Sequence, residues 1–280
     1  MSANPLRRAL SQLLLQARIV SAVARRELQL RAAKGVFGVA GVFIEPLVLI
    51  GTFLALRLLL RGSGDATYIN PALWLAAGFI PFYLFVQVAL KAIGGVQKGE
   101  DLYFYRRLRP LDSLMGNALL TSQIYSSLML LFVLGVSAWD WTNAVDDPGA
   151  AIFLFLGFSL LGFGIGLSTL IIGHRLPLLA WFMKSFLRRI LLWTSCIFFP
   201  IRIVPDEFRP WILWNPLAHG VELLRQTFNP NYPAPDVSAL YFWVWVVGSI
   251  GFGLLIYGNN EELLYYEEQL PGSEQMLDME

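Results

Sequence analysis

Apolar residues gather into six runs along the chain, each long enough to cross a bilayer and separated from the next by a polar link. The runs cover 36–60, 73–90, 114–138, 151–172, 176–201 and 237–258. A span needs about 20 mostly apolar residues. Backbone in hydrocarbon must satisfy its own hydrogen bonds, so each run is predicted to be a helix. Ahead of them lies 5–34, where Leu10, Leu13, Leu14, Ala17, Val20, Ala24 and Leu28 share one helical stripe. Gln12, Arg18, Arg25, Arg26 and Gln29 occupy much of the opposite side, while Leu15, Ile19 and Val23 interrupt the pattern. A moderately amphipathic, basic helix of this kind is expected in the membrane interface, where anionic lipid attracts Lys and Arg.

The link between the fifth and sixth runs does not read as an ordinary exposed loop. Between 198 and 232 it holds Phe199, Phe208, Trp211, Trp214 and Phe228 among Pro200, Pro205, Pro210 and Pro216. Asn215 followed by Pro216 predicts a helix start, with Asn capping free amides and Pro at a position that needs no donor. Leu217, Val221, Leu224 and Phe228 then form one apolar stripe, with Glu222 and Arg225 able to pair on the other side. Asn229-Pro230 ends the helix. A short amphipathic helix held between two spans can dip into the membrane and return, or lie on its surface as a cap. The predicted fold is therefore an all-α polytopic membrane protein. It has six transmembrane helices, an N-terminal amphipathic interfacial helix over 1–34, and a re-entrant helix pair within 200–232 between the fifth and sixth spans. Residues 35–260 form one membrane domain and 261–280 an acidic tail.

Several spans carry informative interruptions. Glu45-Pro46 breaks the first, and a carboxylate at that depth is expected to face protein or water. The second contains Gly78 and Pro81, and the third has no charge. The fourth carries Gly157, Gly162, Gly164 and Gly166, small residues that let helices approach closely. The fifth holds Lys184, Arg188 and Arg189 in its first half. Lys184 and Arg188, four apart, would share a face. They either snorkel to the headgroups or form a basic mouth for an anionic cargo. The link after the second span runs through Glu100, Tyr103, Tyr105, Arg106 and Arg107. Aromatics mixed with arginines suit a protein interface, or a headgroup-level anchor.

Composition supports the membrane class: 56% of the 280 residues are hydrophobic and 15% charged, against about 25% charged in soluble domains. Mean hydropathy is +0.57. Of the 21 Lys and Arg residues, 16 fall in the N-terminal segment, the second-to-third link and the fourth-to-fifth region. The positive-inside rule then puts both termini in the cytoplasm. The tail holds seven acids and no Lys or Arg, and a solvated segment is expected. The basic N-terminal stretch lacks a small-residue cleavage site, so no signal peptide is expected. Cys196 is the single cysteine, which excludes a disulfide within one chain.

No nucleophile triad, metal-ligand spacing or phosphate-binding glycine loop occurs. Gly162-Phe163-Gly164-Ile165-Gly166 lies inside a span and is packing material. No catalytic residue, bound metal or nucleic-acid partner is expected. His174 and His219 fall near opposite faces by the predicted topology, which argues against an intramembrane enzyme.

Two motifs at these places in the topology carry a family resemblance. One is Tyr105-Arg106-Arg107-Leu108-Arg109-Pro110-Leu111-Asp112. The other is Trp214-Asn215-Pro216-Leu217 with His219, Glu222 and Arg225. With them, essentially the whole chain resembles the permease subunit of ABC-type polysaccharide exporters, and most of all the KpsM-type subunits of group 2 capsule export. The acidic tail is longer than the family leads one to expect.

The resemblance implies a homodimer in the inner membrane of a Gram-negative bacterium, paired with two copies of a separate ABC ATPase. ATP and Mg would then sit on that partner and no cofactor on this chain. Residues 91–113 would be the coupling region seated in the ATPase, with Glu100, Tyr103, Tyr105, Arg106 and Arg107 as contacts. Asn215, Pro216, His219, Glu222 and Arg225 would shape the re-entrant helices near the periplasmic exit. A periplasmic co-polymerase-like protein and an outer-membrane polysaccharide channel would complete the route, and membrane lipids would surround the subunit.

The expected function is the channel half of an ATP-driven exporter of lipid-linked, anionic capsular polysaccharide. Lys184, Arg188 and Arg189 are candidates for the cytoplasmic entrance, and Phe199, Phe208, Trp211 and Trp214 for the exit. Within the same family the cargo could instead be O-antigen, teichoic acid, a lipid or a drug. A secondary transporter is the rival from another class; it would usually show inverted repeats and a midplane ionisable site, and no repeat is seen here.

Overall fold

The computed structural model describes residues 5–33, 36–61, 69–94, 110–140 and 145–266. Among them every regular element is helical. In chain order these are α1 (Pro5–Ala32), α2 (Val36–Arg61), α3 (Pro71–Gly94), α4 (Pro110–Asp140) and α5 (Pro148–Arg175). There follow α6 (Pro177–Ser185), a π turn (Phe186–Ile190) and α7 (Leu191–Thr194). A single 3₁₀ turn (Ile201–Ile203), α8 (Arg209–Leu213), α9 (Pro216–Phe228) and α10 (Ala239–Tyr266) complete the chain. Four helices among the described residues are long and apolar enough to cross a membrane: α3, α4, α5 and α10.

The bundle is built around α3. In the 18-residue apolar core of Pro71–Ile93, 89% of residues are buried, against 17% in the corresponding core of Ala239–Asn260 in α10. Helix α3 therefore lies inside the protein, while α10 presents most of its apolar side chains outward, as a lipid-facing helix does. Pro46 and Pro81 lie within continuous helices α2 and α3, so neither ends its helix. The Glu45 side chain lies outside the described residues.

Helix α5 is packed between α3 and α10 through alternating glycines. A Cβ on Gly162 would stand 2.6 Å from the Phe85 carbonyl oxygen, and one on Gly166 2.7 Å from that of Ala89, both on α3. On Gly164 it would stand 2.6 Å from the α10 backbone at Ser249 and Ile250. Two residues advance a helix by about 200°, so 162 and 166 address one neighbour and 164 the other. Polar side chains add ties between helices: Ser122 and Ser159 hydroxyls share a hydrogen bond of 2.5 Å, and Lys91 donates to Thr121 at 2.7 Å.

Helix α1 docks on the start of α4, and this changes which side of it is apolar and covered. Val20, Val23 and Ala24 are buried, whereas Leu14 and Leu28 of the expected stripe are exposed. Gly116 of α4 decides the register, since a Cβ there would lie 2.7 Å from Val23. Gln16 also donates a hydrogen bond to Asp112. Val23, which interrupts the sequence stripe, is thus the packing residue.

The fifth apolar run departs most from expectation. Its helical part stops at Thr194, seven residues short of 201, and is interrupted by the π turn. The Thr194 and Ser195 hydroxyls donate back to the carbonyls of Ile190 and Leu191. Cys196 then adopts φ 55°, a left-handed conformation that often ends a helix but is usually filled by Gly. After the break, Phe198 packs against Phe53 of α2 and Phe79 of α3, with ring centroids 4.6 and 5.5 Å away.

Candidate functional site

The site begins where α7, the last helix of the fifth apolar run, ends. Past Thr194 the backbone carbonyls have no helical ladder to join, and inside a protein they must find donors. Arg225 of α9 supplies them. Its Nη1 donates to the Cys196 carbonyl at 2.7 Å and its Nη2 to the Ile197 carbonyl at 3.1 Å. Nη1 also reaches Glu222 Oε1 at 2.9 Å, and that oxygen accepts the Ile201 amide at 3.1 Å. Both side chains of the pair are 0% exposed. The expectation of a pair on the outer, polar side of an amphipathic helix is corrected here, because other elements cover both faces of α9.

Helix α3 closes the site from behind. The Arg225 guanidinium carbon lies 3.6 Å from the ring centroid of Trp74, and Trp74 Nε1 donates to the Tyr232 hydroxyl at 3.2 Å. Gly78, one turn along α3, makes room: a Cβ there would lie 3.1 Å from Arg225 Nη2 and 3.3 Å from the Ile197 Cα. A planar cation stacked on an indole and forked onto two carbonyls is a role that Arg fills and Lys does not.

Asn215 and His219 hold the start of α9. Asn215 accepts the Leu217 amide at 3.0 Å, and its own amide donates to the Thr194 and Ser195 hydroxyls at 3.0 Å each. Pro216 takes the first helical position and is buried. His219 Nδ1 accepts the Ser238 amide at 3.0 Å, which leaves Nε2 as the donor to the Leu213 carbonyl at 2.7 Å. The imidazole is therefore neutral, with its proton on Nε2. A Cβ on Gly220 would stand 2.6 Å from Phe158 and 2.8 Å from Phe242, so α9 sits tightly against α5 and α10.

The other sequence-derived candidates fall elsewhere. Phe208, Trp211 and Trp214 are exposed on and around α8, while Phe199 is half-buried against the cluster around Cys196 and Ile201. Lys184 is exposed at the end of α6, and Arg188 and Arg189 are exposed in the π turn. A π turn carries more residues per turn than an α-helix, so the four-residue spacing of Lys184 and Arg188 no longer defines a common face. Glu100, Tyr103, Tyr105, Arg106 and Arg107 lie outside the described residues, as does the tail beyond Tyr266. Among the described residues no group of three or more metal-ligating side chains occurs.

Trp74, Ile197 and Tyr232 belong to the site without any distinguishing sequence signal, and Gly78 and Cys196 stand out in the sequence only as a glycine within a span and as the single cysteine. The contribution of Cys196 and Ile197 is a pair of backbone carbonyls. Only an Arg predicted at the membrane edge, with one Glu beside it, could have prompted a search for further acceptors.

No protein-family model matches the chain. Individual proteins do. The polysialic acid transport protein KpsM of Escherichia coli is 30% identical over 256 residues, covering 88% of this chain and 94% of the relative. The capsule polysaccharide export inner-membrane protein BexB of Haemophilus influenzae is 25% identical over 218 residues, covering 77% and 81%. The corresponding CtrC of Neisseria meningitidis serogroup A is 24% identical over 223 residues, with the same coverages.

Proposed function

The chain belongs to the KpsM-type family of ABC-exporter permeases, the capsule polysaccharide export inner-membrane proteins, and from that membership we propose that it forms the translocation path of an ATP-driven exporter. The observation that carries the proposal is the 30% identity spanning nearly the whole of the Escherichia coli relative. In this reading two copies pair in the inner membrane, each with six spans and both termini in the cytoplasm. Two copies of a separate ATPase hydrolyse ATP with Mg. The relatives' names, polysialic acid transport and capsule polysaccharide export, support an acidic capsular polysaccharide as cargo; we propose that it is lipid-linked. A periplasmic export protein and an outer-membrane channel receive it.

A hydrated acidic polymer cannot enter hydrocarbon and needs a lined path. Arginines meet its carboxylates with a planar fork, and aromatic faces stack on sugar rings. The exposed Lys184, Arg188 and Arg189 serve the entrance, and Phe199, Phe208, Trp211 and Trp214 the exit. The 91–113 link takes up the ATPase stroke through Glu100, Tyr103, Tyr105, Arg106 and Arg107. The stroke then reaches the spans as a rigid-body movement. Helices α8 and α9 form the re-entrant pair, with the Arg225 contacts tying them to the segment that follows α7.

The test is a pull-down from mild detergent with an affinity tag on this chain, followed by identification of what co-purifies and an ATP-hydrolysis assay. The proposal expects a stoichiometric nucleotide-binding subunit with ATPase activity. A homo-oligomer without an ATPase, under conditions that preserve other ABC complexes, would overturn it in favour of a secondary transporter.

A further inference from the structure

Helices α5, α6 and α10 enclose a cleft of about 480 Å³, within the range of small-molecule sites. Its walls include Ile165 and Ile172 of α5, Leu179 and Met183 of α6, and Trp245 and Phe252 of α10. Three hydroxyls border it, and all three donate to their own helices. Ser168 donates to the Gly164 carbonyl, Thr169 to that of Ile165 and Ser249 to that of Val246. No hydroxyl proton is left to hold a polar guest. Gly248 also lines the cleft, and a Cβ built on it would meet nothing within 4 Å. Val244, Leu179 and Phe252 are exposed, so the cleft opens sideways between two helices long enough to span. An apolar chain fits such a wall.

A charge lies just beyond one end of the cleft. On α5, Ile172 is followed one turn later by Arg175; on α10, Phe252 is followed by Ile256 and Asn260 at four-residue steps. These two ends meet, with Arg175 Nη2 donating to Asn260 Oδ1 at 2.5 Å. The Asn260 amide nitrogen donates to the Ile256 carbonyl, which aims its oxygen at Arg175. Asn260 has left helical geometry, at φ −135°, and Arg175 is exposed. The exposed guanidinium is thus oriented by this contact and stands one turn beyond Ile172 of the cleft wall. This arrangement suits a phosphate attached to an acyl chain.

We infer that the cleft binds one anionic phospholipid of the surrounding bilayer, with an acyl chain between α5, α6 and α10 and its phosphate on Arg175. The site is independent of the exporter's cargo, and a subunit unable to export would still hold the lipid.

The experiment uses the full-length protein, with any co-purifying subunits, in mild detergent. It is presented with phosphatidylglycerol or phosphatidylcholine, and retained lipid per chain is counted by native mass spectrometry. One phosphatidylglycerol per chain should survive washing that strips phosphatidylcholine. Arg175→Gln should weaken retention by about tenfold, the loss expected for one charge-assisted hydrogen bond. Gly248→Leu, which fills the cleft from a position with open space, should abolish it. Because Arg175 is exposed, its variant decides the matter even where Gly248→Leu fails to fold. Wild-type retention by Arg175→Gln, or equal retention of phosphatidylcholine, would overturn the inference. So would a disulfide between two copies through Gly248→Cys, which would assign the cleft to a second chain.

Discussion

The Arg225 guanidinium carbon lies over the Trp74 indole, 3.6 Å from the ring centroid, and this contact joins α9 to the central helix α3. The same guanidinium donates to the carbonyls of Cys196 and Ile197 and to the Glu222 carboxylate. Three elements distant in sequence therefore meet on one side chain. Removing one member of a buried ion pair costs about 3–5 kcal/mol. Arg225→Met is expected to lower the unfolding temperature well below that of an Arg188→Met control. Arg225→Lys should fall close to it, because a point charge cannot serve two carbonyls and an indole together. Thermal unfolding in detergent, followed by tryptophan fluorescence, reads this directly; equal temperatures for Arg225→Met and the control would show that the contacts contribute nothing.

Gly78 is required by the same contacts. A Cβ there meets Arg225 at 3.1 Å and the Ile197 backbone at 3.3 Å, and the backbone cannot yield cheaply. Gly78→Val should destabilise by about 1–3 kcal/mol through overpacking. Gly251→Ala places its methyl in open space and should be neutral, or stabilising by up to about 1 kcal/mol from helix propensity. Equal behaviour of the two variants would contradict the close approach at Gly78.

His219 accepts the Ser238 amide on Nδ1 and donates from Nε2, so a second ring proton would point at an N–H group. Burial likewise holds its pKa below the ordinary imidazole value of 6.5. The unfolded chain then binds a proton more readily than the folded one, and stability falls as pH drops below about 6.5. Comparing wild type with His219→Gln across pH 7.5 to about 5 should show a steeper loss in the wild type. Parallel profiles would assign the pH dependence to other groups.

The proposed coupling link is tested by Tyr105→Asp combined with Arg106→Asp. ATP hydrolysis by the complex should continue while export stops. A variant that retains its ATPase partner and exports normally removes these residues from the coupling role.

The proposed entrance is tested by reversing Lys184 and Arg188 to Glu. Export of an acidic polymer should fall to background while the protein accumulates and assembles as the wild type does. Undiminished export by a stably assembled reversal variant would return both residues to headgroup anchors.

Much of this protein follows from one-dimensional pattern. Uninterrupted apolar runs specify α3, α4, α5 and α10, because hydrocarbon leaves the backbone no partner but itself. The glycines of the fourth run announce close helix contacts, since only a missing Cβ permits them. Asn215-Pro216 marks the start of α9, because capping is a local interaction between neighbours in sequence. Local chemistry is legible wherever its partners lie within a few residues.

What only the tertiary structure decided involves partners far apart in the chain. The sequence places Glu222 and Arg225 on one helix, but their burial depends on α3 and on the segment that follows α7. No periodicity encodes the Cys196 and Ile197 carbonyls, because every residue has one and only the fold leaves these two in need of a donor. Val23 interrupts the α1 stripe, yet it is buried because Gly116 lies opposite. The cleft beside Gly248 exists only where three helices diverge. Hydropathy records how each side chain partitions between water and hydrocarbon, so it determined the helices; which helix meets which, and which buried polar group answers another, depends on packing in three dimensions.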